Sequence, residues 1–359
     1  MNLIILNKER EAVHILDSYE SLIWTDRYSE CGDFEIYASA NEESLSIAQR
    51  DYYVVNPESE HVMIVESIYI KTDVENGNRI TFQGNSLEKI LERRIIWGYT
   101  EVSGTPQDVI ETLLNDCIIN PTNANRKIEG FIFRKSEDPA ITELPSFDAQ
   151  YMGDNLYSIV TKICNDNKIG FKITFDDETL NFVFELYAGT DRSYNQTTNP
   201  YVIFSPNFDN LRDTNYMESR SALKTVALVA GAGQDIPSLP THEVDTWGLT
   251  GIDRRELFVD ARDIEDDADN AKKSQRGKES LAEYDDISSF EGQAETRIMF
   301  KYGEDFFIGD IVQFADEYGH EAPARIVEII TSDSGEGLSV YPTFKMIQND
   351  SETEGESTQ

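Results

Sequence analysis

DYYVVNPESEHVMIVESIYIKTDVENGNRITF, residues 51–82, decides how this chain is understood, because a later stretch repeats its plan. From Asp310 the sequence runs DIVQFADEYGHEAPARIVEIITSDSGEGLSVYPTF. Ile64-Val65-Glu66 matches Ile326-Val327-Glu328 and Phe82 matches Phe344, both pairs 262 positions apart (326 − 64, 344 − 82). Upstream, Phe34-Glu35-x-x-Ala38 is echoed by Phe290-Glu291-x-x-Ala294. In each copy a strand meets an acidic turn, a second strand follows, and a Gly-containing turn leads to a third. That is the pattern of a β-meander, and its recurrence predicts a duplicated unit.

Around the first copy, apolar runs at 2–6 and 12–16 flank a polar turn and predict a hairpin. Glu20–Arg27 and Asp33–Ala38 are the next strands, turned at Cys31-Gly32-Asp33. Ser86 is placed to cap a short helix, 86–94, with Leu87, Ile90 and Leu91 on one face. After Trp97-Gly98-Tyr99 the character changes. Thr105-Pro106-Gln107-Asp108 starts a helix, with threonine at the cap, proline in the first turn and an acid following. A second helix begins near Asp154, carrying Leu156, Ile159, Val160 and Ile163 at helical spacing. Strands Gly170–Phe175 and Asn181–Tyr187 meet at Asp176-Asp177-Glu178, while 120–150 has no clear pattern. This middle stretch predicts a compact α+β insertion.

Beyond it, Tyr201–Ser205 and Leu223–Ala230 are strands flanking the polar stretch Asn207–Arg220. Gly231, Gly233, Pro237, Pro240 and Gly251 mark a long loop, and Arg254–Asp260 is another strand. An acidic run, Asp263–Asn270, precedes a helix over Asn270–Tyr284 whose Lys272, Lys273, Arg276 and Lys278 offset that charge on a solvated face.

A chain of 359 residues is expected to hold two to four domains. With 67 acidic against 31 basic residues its formal charge is −36, which opposes binding to nucleic-acid phosphates and to anionic membranes. Cys31, Cys117 and Cys164 are odd in number and lack CxxC spacing, the usage of reduced thiols. The apolar start breaks off at Asn7, too soon for a signal peptide, and no stretch approaches a membrane span. Synthesis in the cytoplasm without membrane insertion is the expectation.

No chemistry stands out. His14, His61, His242 and His320 have no ligand spacing, and His61 and His320 sit at corresponding hairpin turns, as solvated turn residues would. The run Asp263–Asn270 lacks the glycine and terminal glutamate of a calcium loop. VALVAGAG, 226–233, would need a further glycine where Ile236 stands, and Pro237 and Pro240 forbid the helix of a dinucleotide site. A glycine turn leaving a buried strand explains it better. Walker and Gly-x-Ser-x-Gly sequences are absent, and pairs such as Asp176/Asp177 and Asp285/Asp286 follow from acidic composition alone. Tyr52-Tyr53 and Phe306-Phe307 are expected in strands, as core. No catalytic, cofactor or metal residue is assigned.

The block Tyr19-Glu20-Ser21-Leu22-Ile23-Trp24-Thr25-Asp26-Arg27-Tyr28, followed by Gly32-Asp33-Phe34-Glu35, resembles the start of a siphophage tail-hub family. That family is similar to the N-terminal part of tail-associated lysins and to the baseplate hub of contractile phages. Phe306–Val312 with Gly309-Asp310, and the close at Tyr341-Pro342-x-Phe344, fit its final barrel. The resemblance implies an α+β, mainly β fold: two related β-barrel domains with an inserted α+β lobe. Residues 1–98 would form the first barrel, 99–205 the lobe, 206–287 connecting strands, loop and basic helix, 288–347 the second barrel, and 348–359 a disordered acidic tail.

It further implies a homotrimer at the virion tail tip that continues or closes the tail tube. Three chains with two barrels each would match a six-fold ring. The implied partners are a distal tail protein ring and the tape-measure protein, with DNA passing through the lumen without specific binding. No enzyme activity and no cofactor is expected. Trp24, Asp26, Arg27 and Tyr28, dense in large polar and aromatic groups, suit either a contact surface or a strand with one buried face. The competing expectations are a cell-wall hydrolase or depolymerase and a host-carbohydrate-binding β-module.

Overall fold

The computed structural model describes residues 1–74, 77–233, 240–264, 270–284, 287–294, 299–315 and 321–347, with 213, 214, 216 and 287–294 by backbone alone. His320, the pair Asp285/Asp286, Ile236, Pro237, residues 265–269 of the acidic run and the 348–359 tail lie outside the described residues. The fold is α+β and mainly β.

The chain opens with the expected hairpin of β1 (Leu3–Leu6) and β2 (Ala12–Leu16), then β3 (Ser21–Arg27) and β4 (Asp33–Ser39). A short helix, α1 (Glu42–Ile47), starts in a capping box at Asn41 and leads to β5 (Tyr53–Val55), β6 (Val62–Lys71) and β7 (Arg79–Ser86). In β4 the period of two buries Phe34, Ile36 and Ala38 and turns Glu35 and Ser39 outward. Those side chains share one core with Leu22, Trp24, Val54, Met63, Val65 and Phe82.

The lobe follows as β8 (Thr100–Gly104), α2 (Pro106–Leu114), β9 (Phe131–Arg134), α3 (Pro139–Thr142), β10 (Phe147–Tyr151), α4 (Leu156–Asp166), β11 (Gly170–Asp176) and β12 (Asn181–Tyr187). Thr105 Oγ1 accepts from the Asp108 amide at 3.3 Å, so the predicted cap forms. The helices bury Val109, Ile110, Ile159 and Ile163 against Phe171, Phe182 and Phe184 of β11 and β12. The patternless stretch 120–150 supplies β9 and β10, which are too short to carry a period of their own.

Next come β13 (Ile203–Phe204), β14 (Leu211–Ser219), β15 (Val226–Ala230), β16 (Thr241–Asp245), β17 (Glu256–Asp260) and α5 (Ala271–Leu281). They are followed by β18 (Ile287–Ala294), β19 (Ile311–Ala315), β20 (Glu321–Ser334) and β21 (Gly337–Met346). The glycine-rich stretch behaves as read: β15 is the buried centre of the small sheet β16-β15-β17, and Gly231 turns away with its amide on the Pro240 carbonyl at 2.8 Å. Helix α5 corrects its reading as a solvated basic face. It buries Lys273, Gln275 and Glu279, and the Tyr151 hydroxyl donates to Glu279 at 2.7 Å, pinning the helix to β10 of the lobe. Arg276 does meet Asp263, at 3.0 Å.

The large sheet runs β14-β18-β21-β20-β3-β4-β7-β6-β5-β1-β2, with β19 also on β20 and β13 on β19. Its second core gathers Phe204, Leu211, Phe306, Val312, Phe314, Ile326, Ile329 and Phe344. Phe307 beside Phe306 is 41% exposed and lies outside the strands, against the expectation of a core pair. The divisions at 206 and 288 do not follow this sheet. β13 and β14 pair with β19 and β18, so the polar stretch Asn207–Arg220 is largely an edge strand of the second half rather than a connector. Polar residues hid it, since an edge strand has less apolar surface to bury.

The duplication is visible in hydrogen bonding, in a register that the sequence matches misplaced. The β6–β7 ladder has a bulge between Val65 and Ser67, and the β20–β21 ladder has one between Ile326 and Glu328. Aligning the bulges equates the pair Val65–Gly84 with Ile326–Phe344. The Ile-Val-Glu match is thus one residue off and the Phe82–Phe344 match two. On the far side of these ladders Gly84 faces Phe34 and Phe344 faces Phe290, while Ile80 faces Ala38 and Val340 faces Ala294. The Phe34-Glu35-x-x-Ala38 echo is therefore in register at both ends. β5 and β19 flank β6 and β20 in the same way.

Candidate functional site

β3 is where the two halves of the sheet meet. Its residues Ser21–Arg27 pair antiparallel with Ser334–Glu328 of β20 on one edge, and with β4 on the other. Alternation along β3 sends Leu22, Trp24 and Asp26 inward. Trp24 packs on Phe34 with ring centroids 6.1 Å apart, and its Nε1 donates to Asp26 Oδ1 at 2.9 Å. The Ser59 hydroxyl donates to the same oxygen at 2.8 Å, and the Tyr302 hydroxyl, from the second half, donates to Oδ2 at 3.1 Å. Burial raises the Asp26 pKa, opposed by nearby His61 and by these three donors.

Arg27 Nε donates to Glu328 at 2.6 Å and its Nη1 lies 2.7 Å from Asp33, an ion pair spanning the β3–β20 joint. Tyr28 continues the seam toward the lobe. Its amide donates to the Val327 carbonyl at 3.0 Å, and its carbonyl accepts from the Phe171 amide at 3.2 Å. Its ring stands edge-on to Tyr187 at 5.2 Å, beneath the Arg325 guanidinium at 5.0 Å. The contact-surface expectation for Trp24, Asp26, Arg27 and Tyr28 is corrected accordingly. Trp24, Asp26 and Tyr28 are buried and Arg27 is committed to Glu328 and Asp33, so they join the two sheet halves and the lobe within one chain.

His61 is a second correction. It is buried, not a solvated turn residue, and its Nδ1 lies 3.0 Å from Glu88 Oε1. The same carboxylate oxygen accepts the Ile173 amide of β11 at 2.6 Å. Glu88 occupies the 3₁₀ turn Leu87–Arg93, where Ser86 does not cap: its Oγ accepts instead from the Gly32 amide at 2.7 Å. Burial alone would lower the His61 pKa, but the charge and hydrogen bond of Glu88, with Asp26, outweigh burial and the repulsion of Lys172 and raise it to about 9. Glu88 moves down: burial pushes it up, and His61 more than compensates. A glutamate between Leu87 and Ile90 is the trace this pair leaves in sequence, but nothing there points to His61.

This pair makes a prediction about pH. His61 has a folded pKa above its unfolded one, so its stabilisation is complete below pH 6.5 and is lost as pH rises through about 9. Glu88 has a lowered pKa, so its contribution is present above the ordinary carboxylate value and fades at acid pH. Asp26, with a raised pKa, favours the fold more as pH falls. Thermal unfolding followed from pH 7 to 10 should show Tm falling, by more in the native chain than in His61→Gln. Parallel profiles would contradict the charged pair.

The lobe is tied to the second half by Asp310, which is buried and accepts from the Thr190 amide and from Arg192 Nε, each at 2.7 Å. A shallow pocket of about 470 Å³, lined by Glu111, Thr112, Asn115, Ile119, Ile132 and Phe133, has one carboxylate, which is paired with Lys135 at 2.8 Å. Asp176 spends Oδ1 on the amides of Glu178 and Thr179, closing its hairpin. Among the described residues no three His, Cys, Asp or Glu side chains gather as metal ligands, and no helix is long and apolar enough to cross a membrane.

Three comparisons bear on this geometry. The model of a family described as Siphovirus ReqiPepy6 Gp37-like protein matches residues 2–344. No curated protein matches the chain in sequence. Among solved structures, the 43 kDa tail protein of prophage MuSo2 from Shewanella oneidensis is similar at TM-score 0.59 and 13% identity, over 96% of this chain and 98% of that one. The prophage tail protein gp18 from Listeria monocytogenes is similar at TM-score 0.55 and 14% identity, over 96% and 94%. A tail protein from Neisseria meningitidis is similar at TM-score 0.59 and 11% identity, over 96% of each chain. At these identities the likeness is one of fold.

Proposed function

Because this chain belongs to the Siphovirus ReqiPepy6 Gp37-like protein family, as the block Tyr19–Tyr28 with Gly32–Glu35 led one to expect, we propose that it is a structural hub of a phage or prophage tail tip. The observation that carries the reading is the duplicated half-sheet, joined within one chain by β3 and β20. A homotrimer of such chains presents six similar units, which adapts a three-fold object to a six-fold tail tube. The solved tail proteins of the same fold support placement in a virion tail. The hub would seat on a distal tail protein ring and receive the tape-measure protein. A net charge of −36 would let DNA traverse the lumen without adhering. The reading assigns no reaction to the chain, and nothing in the shallow pocket favours one.

Solution mass is the test. Light scattering at micromolar protein should give three times the chain mass, and negative-stain micrographs should show rings. A chain that stays monomeric at high concentration and ignores a distal-tail ring would overturn the hub.

A further inference from the structure

The sheet β16-β15-β17 and helix α5 form a unit with a core of its own. Ala227, Val229, Val244, Val259 and Leu281 cluster there, and among the described residues none of this cluster joins the lobe's core. Gly277 seats the helix on the sheet: a Cβ there would lie 2.7 Å from Val244 Cγ2 and 3.0 Å from Val229 Cγ2. His242 Nε2, 2.8 Å from the Ser274 hydroxyl, ties the same two layers. The chain leaves the large sheet at Ser219 and rejoins it at Ile287, opposite one another in the β14–β18 ladder. The Lys224 amide donates to the Tyr284 carbonyl at 2.9 Å, so entry and exit run side by side as a narrow neck.

What holds this unit against the lobe is polar. Arg276 donates to the Gln150 carbonyl at 2.7 Å, and the Gln150 side-chain amide donates to the Asp263 carbonyl. Lys162 of α4 meets Glu283 at 3.1 Å, and Lys272 pairs with Glu101 of β8. At the centre Glu279 is buried, and one of its oxygens accepts from the Tyr151 hydroxyl of β10 at 2.7 Å and from Gln275 at 3.1 Å. The charged groups around it are Asp166 of α4 and Arg276 of its own helix, which also interacts with Asp263 and Asp154. A carboxylate buried between two separate cores costs desolvation that no shared apolar contact offsets, and polar boundaries of this kind are the ones across which domains move.

We propose that the unit of β15, β16, β17 and α5 is a hinged arm, which Glu279 latches to the lobe and which lifts whole on its neck when Glu279 is charged. Burial raises the Glu279 pKa and Asp166 adds to it, against the Tyr151 and Gln275 donors and Arg276. Burial raises Asp166 as well, opposed by Lys278 and Gln275. The seated arm therefore holds protons more tightly than the lifted one. Seating is complete below the ordinary carboxylate range and is lost as pH rises through the raised value. The partly exposed Lys162–Glu283 and Lys272–Glu101 pairs make it sensitive to salt as well. The latch lies within one chain, so it does not depend on how many chains the hub holds.

The test is a distance between nitroxides at Ile252→Cys, 95% exposed in the arm, and Glu178→Cys, exposed in the lobe hairpin, with Cys31→Ser. Labelled chain is diluted into unlabelled chain, so that only distances within one chain are read. One short distance is expected at acid pH. A longer population should grow at least about fivefold between about pH 5.5 and about pH 8.5, since one unit of pKa coupling is worth tenfold in the seating equilibrium. Glu279→Gln should stay seated throughout, and Glu279→Lys should be lifted at every pH. Amide exchange in β15 should remain slow in all of them, because the arm lifts without unfolding. A single distance at every pH, or one that Glu279→Lys leaves unchanged, overturns the arm. A longer distance that comes with lost β15 protection, or a pH response that Glu279→Gln retains, overturns it too.

Discussion

Replacing Glu88 with alanine is expected to destabilise the chain by on the order of 3–5 kcal/mol, the cost of removing one partner from a buried ion pair. Two groups lose their partner at once. His61 Nδ1, 3.0 Å away, is left as a buried imidazole beside Asp26, and the Ile173 amide loses an acceptor at 2.6 Å. Burial then acts on His61 with only Asp26 to oppose it, so its pKa should drop from about 9 toward or below its ordinary value. Denaturant midpoints report the first effect and histidine NMR titration the second. Because the sheet halves and the lobe need not unfold together, hydrogen exchange at Ile173 shows where the loss falls. Glu88→Gln keeps an acceptor for Ile173 and should cost less. A Glu88→Ala chain within 1 kcal/mol of the native one, with the His61 titration unmoved, would remove the pair from the account.

What could be read in advance follows from how locally each feature is encoded. The helix cap at Thr105 and the alternation of Phe34, Ile36 and Ala38 are settled within a few residues, and they were legible. The duplication was legible as an echo, but its register was not. Both ladders carry the bulge, but the hairpin from Lys71 to its partner Arg79 is one residue longer than that from Ser332 to Ser339, so no constant spacing matches both strands, and matching letters slip by one or two. β14 leaves no sequence signal because an edge strand buries little and Asn207–Arg220 has the polarity of a loop. The joint is illegible for a different reason. Trp24, Asp26 and Tyr28 stand out as a dense block, yet whether such a block meets another chain or another part of the same chain depends on Tyr302, Arg325 and Gly170, far off in sequence. The Glu88–His61 pair depends on burial of a turn, which no short-range pattern announces.

Gly309→Ala is expected to cost on the order of 2–5 kcal/mol, adding backbone strain to a collision. Gly309 stands at φ +91°, where a Cβ is unfavourable, and that Cβ would lie 2.3 Å from the Tyr28 ring. The ring cannot retreat. Gly170 presses its other surroundings so closely that a Cβ there would fall 2.5 Å from it, and Tyr187 and Arg325 bracket the remainder. Gly189 compounds the constraint, since its own Cβ would lie 1.8 Å from the Gly309 carbonyl oxygen. The lobe's exit, the end of β3 and the approach to β19 thus converge with no spare volume. Gly303 separates strain from collision: its φ is +83°, but a Cβ there meets nothing within 4 Å. Gly303→Ala should therefore show only the strain, about 1 kcal/mol. Tyr28→Leu should recover part of the loss in the Gly309→Ala background, a coupling that a double-mutant cycle reads directly. Equal losses at Gly303 and Gly309, or strict additivity with Tyr28→Leu, would mean that the close approach does not hold the seam. Its position gives the result a functional edge. In the proposed hub, a seam loosened at Gly309 would free the second half-sheet to rotate on the first, whereas the proposed six-unit ring needs both halves at a fixed angle. The same Gly309→Ala chain should accordingly lose the mass of the proposed trimer at concentrations where Gly303→Ala keeps it.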